Sequence, residues 1–281
     1  MKNVTLANGV EIPVLGFGVY QIPPAQTQRA VEEAFEIGYR HIDTAAIYGN
    51  EAEVGAAIKA SGLKREEIFI TTKLWLSEYD GEKAARAIDT SMEKLGLDTV
   101  DLFLLHQPFN DTYNAWRALE KAYSEKKLRA IGISNFSPDR AVDLGTFNDL
   151  MPMINQIETN PLHQRRAEGA ALTSRGIVHE AWAPFGEGRN GIFTNPVLQK
   201  IGDAHGKSVA QVILRWLIEQ DIVALAKSVH KERMAENFDI FDFELTDDDH
   251  AAIAALDKGA SLFFSHQTPE TVEFMAKVHS N

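Results

Sequence analysis

Two hydrophobic rhythms alternate along this chain. Short, nearly unbroken apolar runs are separated by longer stretches in which apolar positions return every three or four residues. The short runs are Leu15–Val19, His41–Ala45, Phe69–Lys73, Leu102–His106, Ala130–Ser134, Ile154–Glu158, Val178–Trp182 and Val223–Lys227, and each reads as a strand. The longer stretches read as helices. Thr27–Ile37 carries Ala30, Val31, Ala34 and Phe35 at helical spacing, and Ala84–Leu95 and Val209–Ile218 show similar stripes. Ser208 followed by Gln211 predicts a capping-box start for the last of these. Ahead of the alternation, VTLANGVEIPVLG predicts a hairpin turning at Asn8-Gly9.

Strand and helix in regular alternation, with no break in composition, predict one (β/α)8 TIM barrel domain over residues 1–281. The competitor is an open doubly wound sheet, which wants a glycine-rich turn between its first strand and helix. Here GFGVYQIPP offers Gly16 and Gly18 but no third glycine to open the helix. In a barrel, chemistry gathers where strands end at the C-terminal rim, and Asp43, Lys73, His106, Asn135, Glu158, Trp182 and Lys227 fall there. Two irregular stretches stand out. Pro184–Phe193 is glycine-rich and reads as a mobile loop over a ligand. The tail Lys258–Asn281 is partly apolar and is expected to pack across the barrel mouth.

Composition narrows the classes of function. Apolar residues make up 44% of the 281 residues, enough for a sizeable core, yet no stretch reaches the length of an apolar membrane span. The start, MKNVTLANGVEIP, has no apolar run and argues against a secretory signal. A formal charge of −12 disfavours nucleic acid and anionic membrane as partners, so an anionic ligand needs a local cation cluster. The absence of cysteine removes disulfides, thiolate zinc sites and cysteine nucleophiles, and fits a cytoplasmic protein.

Four rim side chains suit the reduction of a carbonyl: Asp43 and Tyr48 in GYRHIDTAAIYGNE, Lys73 in FITTKLW, and His106 in LFLLHQP. Reduction needs a hydride at carbon and a proton at oxygen. A phenol is a weak acid at neutral pH, and a lysine ammonium beside it stabilises the phenolate. At ~4 Å and an effective dielectric of ~20 that attraction is about 4 kcal/mol, or up to ~3 pK units before desolvation. Aspartate next to the lysine keeps it charged, and histidine next to the tyrosine orients the carbonyl and shares in the proton transfer. Singly, each residue has an ordinary alternative: Asp43 a turn residue, Tyr48 a half-buried aromatic, His106 a strand-end histidine. Together on successive strand ends they point to one cluster. A metal-dependent barrel hydrolase using His41, Asp43, His106 and Glu158 is a rival, but it leaves Lys73 and Tyr48 without a task. A cofactor-binding protein without catalysis is another.

The segments GYRHIDTAAIYGNE, TKLW, LLHQP, IGISNF and NQIETNP, with KSVHKERMAENFDIFDFEL near the end, resemble the successive motifs of the aldo-keto reductase superfamily. They span the chain, which is similar to the small bacterial reductases that include 2,5-diketo-D-gluconate reductases. The resemblance implies Tyr48 as proton donor, Lys73 and Asp43 as its tuning pair, and His106 as the carbonyl-orienting partner. It implies a monomeric barrel that binds extended NADP(H) without a dinucleotide-binding domain and needs no metal, acting on small-molecule carbonyls: aldehydes, small ketones, dicarbonyls or keto-sugars. Many members have tryptophan where this chain has Gln107, which replaces an indole wall with a smaller amide. Tyr20 and Trp75 remain as aromatic walls of the substrate pocket.

For the nicotinamide, Ser134, Asn135 and Gln156 offer hydrogen bonds to the carboxamide, and Trp182 offers a ring at a position where the family places a stacking aromatic. Phe185, Gly186 and Gly188 are expected to fold over the pyrophosphate. The stretch Lys227, Ser228, Val229, His230, Arg233, Glu236 and Asn237 is expected to hold the adenosine end. There Lys227, Ser228 and Arg233 suit a 2′-phosphate and Glu236 and Asn237 the adenine. Read without the resemblance, KERMAEN is an ordinary solvated helix face. The position of His230 is often arginine in strictly NADPH-dependent bacterial members. A histidine gives up that permanent charge, so NADPH is the expected cofactor with NADH a weaker alternative.

Overall fold

The computed structural model describes residues 2–279. The chain opens with the expected hairpin, β1 (Asn3–Thr5) against β2 (Glu11–Pro13). Gly9, at φ +84°, takes the left-handed corner, where a Cβ would be strained. Leu6 and Ile12 turn inward from this hairpin and are buried in the core.

Eight parallel strands follow: β3 (Leu15–Gly18), β4 (His41–Asp43), β5 (Phe69–Leu74), β6 (Val100–Leu105), β7 (Leu128–Ser134), β8 (Ile154–Glu158), β9 (Val178–Trp182) and β10 (Val223–Ala226). Each pairs with the next, and β10 pairs back onto β3 through Leu225 and Gly16. That closure settles the fold as a barrel and overturns the open-sheet alternative. β4, β5 and β6 are buried along their whole length, as strands between a packed lumen and an outer helical layer must be.

The outer layer comprises α1 (Pro24–Ile37), α2 (Glu51–Ala60), α3 (Gly81–Leu95), α4 (Thr112–Ser124), α5 (Pro138–Thr146), α6 (Arg166–Thr173), α7 (Pro196–His205), α8 (Val209–Glu219), α9 (Lys231–Phe238) and α10 (Asp247–Ala254). Local chemistry sets their ends. The capping box at α8 forms as expected, Gln211 N donating to Ser208 Oγ while Ser208 N donates to Gln211 Oε1. α1 starts three residues earlier than its apolar stripe predicts, because Pro24 suits a first helical turn whose N–H groups have no partner anyway. Several strands stop one residue short of their expected ends. His106 is just past β6, although its N–H still donates to Leu74 O at 3.1 Å. Lys227 likewise follows β10 directly.

The tail crosses the mouth as expected and carries α11 (Pro269–His279); Ser280 and Asn281 lie outside the described residues. Among the described residues no helix is long and apolar enough to cross a membrane.

Candidate active site

At the C-terminal rim β4 ends on Asp43, and the chain passes through Thr44 and Ala45 into a short turn, Ala46–Tyr48. Two features fix that turn. Gly49 adopts φ +68°, which lets the chain reverse into α2. Buried Asn50 accepts from Thr44 Oγ1 at 2.8 Å and donates to Val19 O at 3.1 Å, tying the turn to the end of β3. Tyr48 is thereby carried back over the barrel. Beneath it, Lys73 reaches inward from β5, and its Nζ donates to Asp43 Oδ1 at 2.5 Å and to Thr44 O at 3.0 Å. The same ammonium lies 5.2 Å from the Tyr48 ring centroid. His106 stands edge-on to Tyr48 at 5.7 Å and to Trp75 at 5.1 Å between ring centroids. Asp43, Tyr48 and His106 line one cavity of about 580 Å³, and Lys73, bonded to Asp43, is fully buried. The four residues form a single cluster.

Charges follow from these contacts. Burial works against the Lys73 ammonium, but Asp43, Tyr48 and Glu180 outweigh it and hold the lysine above its ordinary range. Burial pushes the Tyr48 phenol up to about 12, with Lys73 pulling it down and Asp43 adding to the rise. The pull expected from the lysine is present, and desolvation exceeds it. His106 is held well below its usual range by burial, then by Lys73 and His266, so its imidazole is neutral.

A second group of polar side chains adjoins the first. Ser134 and Asn135 follow one another at the end of β7, Asn135 at φ +67°. Asn135 Nδ2 donates to His106 O and Ser134 Oγ, both at 3.1 Å, and Ser134 Oγ donates to Gln156 O at 2.9 Å. Trp182 Nε1 donates to Asn135 Oδ1 at 2.8 Å, and its ring packs on Phe263 at 5.2 Å. Gln156 Nε2 donates to Asp43 Oδ2 and to Glu180 Oε2, each at 2.9 Å. The Asp43 carboxylate, which can only accept, fixes the amide orientation: the NH2 faces it and Oε1 faces away.

Tyr20, half exposed, leans on Tyr48 at 5.0 Å, and Tyr20, Trp75 and Gln107 all line the cavity. The backbone of Gln107 is bridged by Tyr79, whose hydroxyl donates to Gln107 O at 2.9 Å and accepts from Gln107 N at 3.0 Å. Phe185 lines the cavity and packs on Phe193 at 5.6 Å. The loop beyond Trp182 is built of tight turns rather than open coil. Gly186 N and Gly188 N donate to Ala183 O and Phe185 O, both at 2.9 Å. Arg189 fastens this loop to the tail, donating to Leu262 O at 3.2 Å and lying 4.3 Å over the Phe263 ring.

Lys227 lies at the cavity lip and is exposed. Ser228 is buried; its Oγ donates to His230 O and accepts from His230 N, shaping the turn into α9. Val229 is half-buried, His230, Arg233 and Glu236 are exposed, and Asn237 is buried. In the chain these residues run from the cavity lip into α9.

Sequence reasoning missed three contributions. Phe263, Phe264, His266, Phe274 and Met275 of the tail line the cavity, and their only signal was the apolar character of the tail. Glu180 sits beneath Gln156, fully buried; as it shares strand parity with Trp182, alternation along β9 could have placed it inside. Glu158, on the rim as expected, anchors the tail by accepting from Ser261 Oγ at 2.5 Å and from Leu262 N at 2.9 Å. His41 Nε2 bonds Thr71 Oγ1 at 3.0 Å. Among the described residues no three His, Asp or Glu side chains gather closely enough to hold a metal ion. A larger hollow of about 760 Å³, between α6 and the hairpin, contains none of the cluster.

A closed eight-stranded barrel with a buried Lys–Asp pair beneath a tyrosine and a neutral histidine defines a class of oxidoreductase. The aldo/keto reductase family model matches residues 14–258, and the chain belongs to that family. It is 44% identical over 273 residues to morphine 6-dehydrogenase of Pseudomonas putida, covering 92% of each chain. It is also 44% identical to glyoxal reductase of Bacillus subtilis, covering 91% of this chain and 92% of that one. The crystal structure of a Bombyx mori aldo-keto reductase in complex with NADP superposes with a TM-score of 0.89 at 34% identity, over 94% of this chain and 95% of that one.

Proposed function

We propose that this chain is an NADPH-dependent reductase of small carbonyl compounds, acting as a monomer on aldehydes, small ketones, dicarbonyls or keto-sugars, with Tyr48 as proton donor. The observation that carries the reading is the buried Lys73–Asp43 pair packed against Tyr48, with Asp43 and Tyr48 both lining the cavity.

The residues present fit a nicotinamide. With Gln156 Nε2 engaged below, Gln156 Oε1 remains as an acceptor, and Asn135 Oδ1 keeps a second lone pair beside Trp182. Two acceptors suit the two N–H groups of a carboxamide, and the Trp182 ring supplies a flat partner. Lys227, Ser228 and Arg233 would hold a 2′-phosphate by charge and hydroxyl, and Glu236 and Asn237 the adenine. The loop carrying Phe185, Gly186 and Gly188 would cover the pyrophosphate; since both glycine amides bond within the loop, an amide contact requires those turns to open. The similarity to a structure holding NADP supports this placement.

Bound NADPH supplies the hydride. The protein's own part is the proton. Neutral His106 can donate a hydrogen bond to the substrate oxygen without carrying charge, and so orients the carbonyl beside Tyr48. A phenol held at about 12 stays protonated at neutral pH and releases its proton only to a strongly basic oxygen, which is what a carbonyl oxygen becomes as hydride arrives. Lys73 then stabilises the phenolate, and Asp43 holds Lys73 charged and in place. Aromatic walls from Tyr20, Trp75 and the tail exclude water. The test is NADPH oxidation across a panel of aldehydes, ketones, dicarbonyls and keto-sugars. Turnover with part of the panel is expected, and none with any member would remove the reading.

A further inference from the structure

Glu180 is a buried acid that the chemistry above does not use. It points into the barrel from β9, has no exposed surface, and accepts from Gln156 Nε2 through Oε2 at 2.9 Å. Its Oε1 has no hydrogen-bond partner among the described residues. His41 Nε2 is 3.9 Å away and already bonded to Thr71 Oγ1, while the buried ammonium of Lys73 is bonded to Asp43. A fully buried carboxyl without a cation is costly, so it calls for a specific reason to be there.

The reason lies in the amide above it. An isolated glutamine amide can face either way with little cost. Asp43 and Glu180 together occupy both N–H groups of Gln156, and turning the amide over would break both bonds and set its carbonyl against the Asp43 carboxylate. We infer that Glu180 is a positioning residue: by holding the second N–H of Gln156 toward the barrel interior, it keeps Gln156 Oε1 presented to the carboxamide of the nicotinamide. This rests on the cofactor reading given above. It makes Glu180 a determinant of how firmly the nicotinamide half is held, through a residue that never touches it.

The two halves of the cofactor separate this role from simple support of the fold. Dissociation constants are measured for NADPH and for adenosine 2′,5′-bisphosphate, which lacks the nicotinamide half, with wild type, Glu180→Leu, Glu180→Gln and Glu180→Asp. Glu180→Leu removes one acceptor, and NADPH affinity should fall about tenfold, the worth of one hydrogen bond, with adenosine 2′,5′-bisphosphate unchanged. Glu180→Gln keeps an acceptor at the same reach and should restore NADPH affinity to within about twofold of wild type. Glu180→Asp keeps the carboxyl but draws it back from Gln156, and should resemble Glu180→Leu. Glu180→Leu binding NADPH as wild type does, or Glu180→Gln failing as Glu180→Leu fails, would overturn the inference. Should Glu180→Leu not fold, the Gln and Asp variants decide it, and Asp binding as tightly as wild type would overturn it. Wild type that binds adenosine 2′,5′-bisphosphate but shows no added affinity for NADPH would remove the cofactor reading itself, and the inference with it.

Discussion

Lys73 Nζ stands 2.5 Å from Asp43 Oδ1, and both side chains are buried. Removing one partner of a buried pair leaves an uncompensated charge, which costs about 3–5 kcal/mol. Asp43→Asn should therefore lower the melting temperature markedly and reduce turnover together, because an unpaired Lys73 faces burial alone. Lys73→Met should reduce turnover by ~10²-fold or more, the usual contribution of a group that assists proton transfer. Thermal melts and single-turnover rates measure both. Asp43→Asn with wild-type stability would mean that the pair is not the structural unit described.

Glu180 makes stability depend on pH. Burial first, then Asp43, raises its carboxyl to about 8, against Gln156 and Lys73, which lower it. The other titratable group facing it is His41, which burial holds at about 3 and hence neutral. The sign follows from proton counting. Between the unfolded carboxylate range near ~4.3 and about 8, the unfolded chain has released a proton that the folded chain keeps. Unfolding free energy should fall as pH rises through that window, and level off above it. Glu180→Gln abolishes this contribution, so its stability relative to wild type should grow from pH 5 to pH 8. Parallel denaturant curves for the two proteins across that range would contradict the assignment.

Gln107 lines the cavity, with its backbone fixed by Tyr79. Gln107→Trp should fill part of the 580 Å³ space and shift preference toward compact or aromatic aldehydes. A size series of aldehydes reads this as a changed ratio of kcat/KM values. An unchanged ratio would mean that residue 107 does not shape the substrate site.

His230 is exposed at the entry to α9, three residues along the chain from both Lys227 and Arg233. His230→Arg adds a permanent charge, and one charge-assisted hydrogen bond at about 1.5–3 kcal/mol corresponds to roughly ten- to hundredfold in affinity. NADPH should bind more tightly to this variant while NADH is little affected. Equal gains for both cofactors, or none, would take His230 out of the 2′-phosphate site.

How much of this was legible in the sequence follows from how local each signal is. The strand ends carrying Asp43, Lys73 and His106 could be read because a buried parallel strand is an apolar run, and its last residue meets the rim. The cap at Ser208 is equally local. The tail was legible only as an apolar segment, because whether Phe263 faces the cavity depends on contacts with Trp182 and Arg189 far away in the chain. The loop after Trp182 looked mobile by composition, yet its positive-φ residues form tight turns and Arg189 clasps it to the tail. The balance at Tyr48 was also hidden. The attraction of Lys73 could be estimated from charge and distance, but desolvation depends on how Tyr20, His106 and Trp75 crowd together.

The proton-donor role of Tyr48 is the central claim, and Tyr48→Phe tests it most directly because the substitution removes one oxygen and leaves the ring packing on Tyr20 and His106. The measurement is the single-turnover rate of NADPH oxidation with a reactive aldehyde, alongside the NADPH dissociation constant. A rate lower by ~10²–10⁴-fold, the usual worth of a general acid, with NADPH bound as tightly as by wild type is the predicted result. A variant that turns over at the wild-type rate would show that the proton comes from another group.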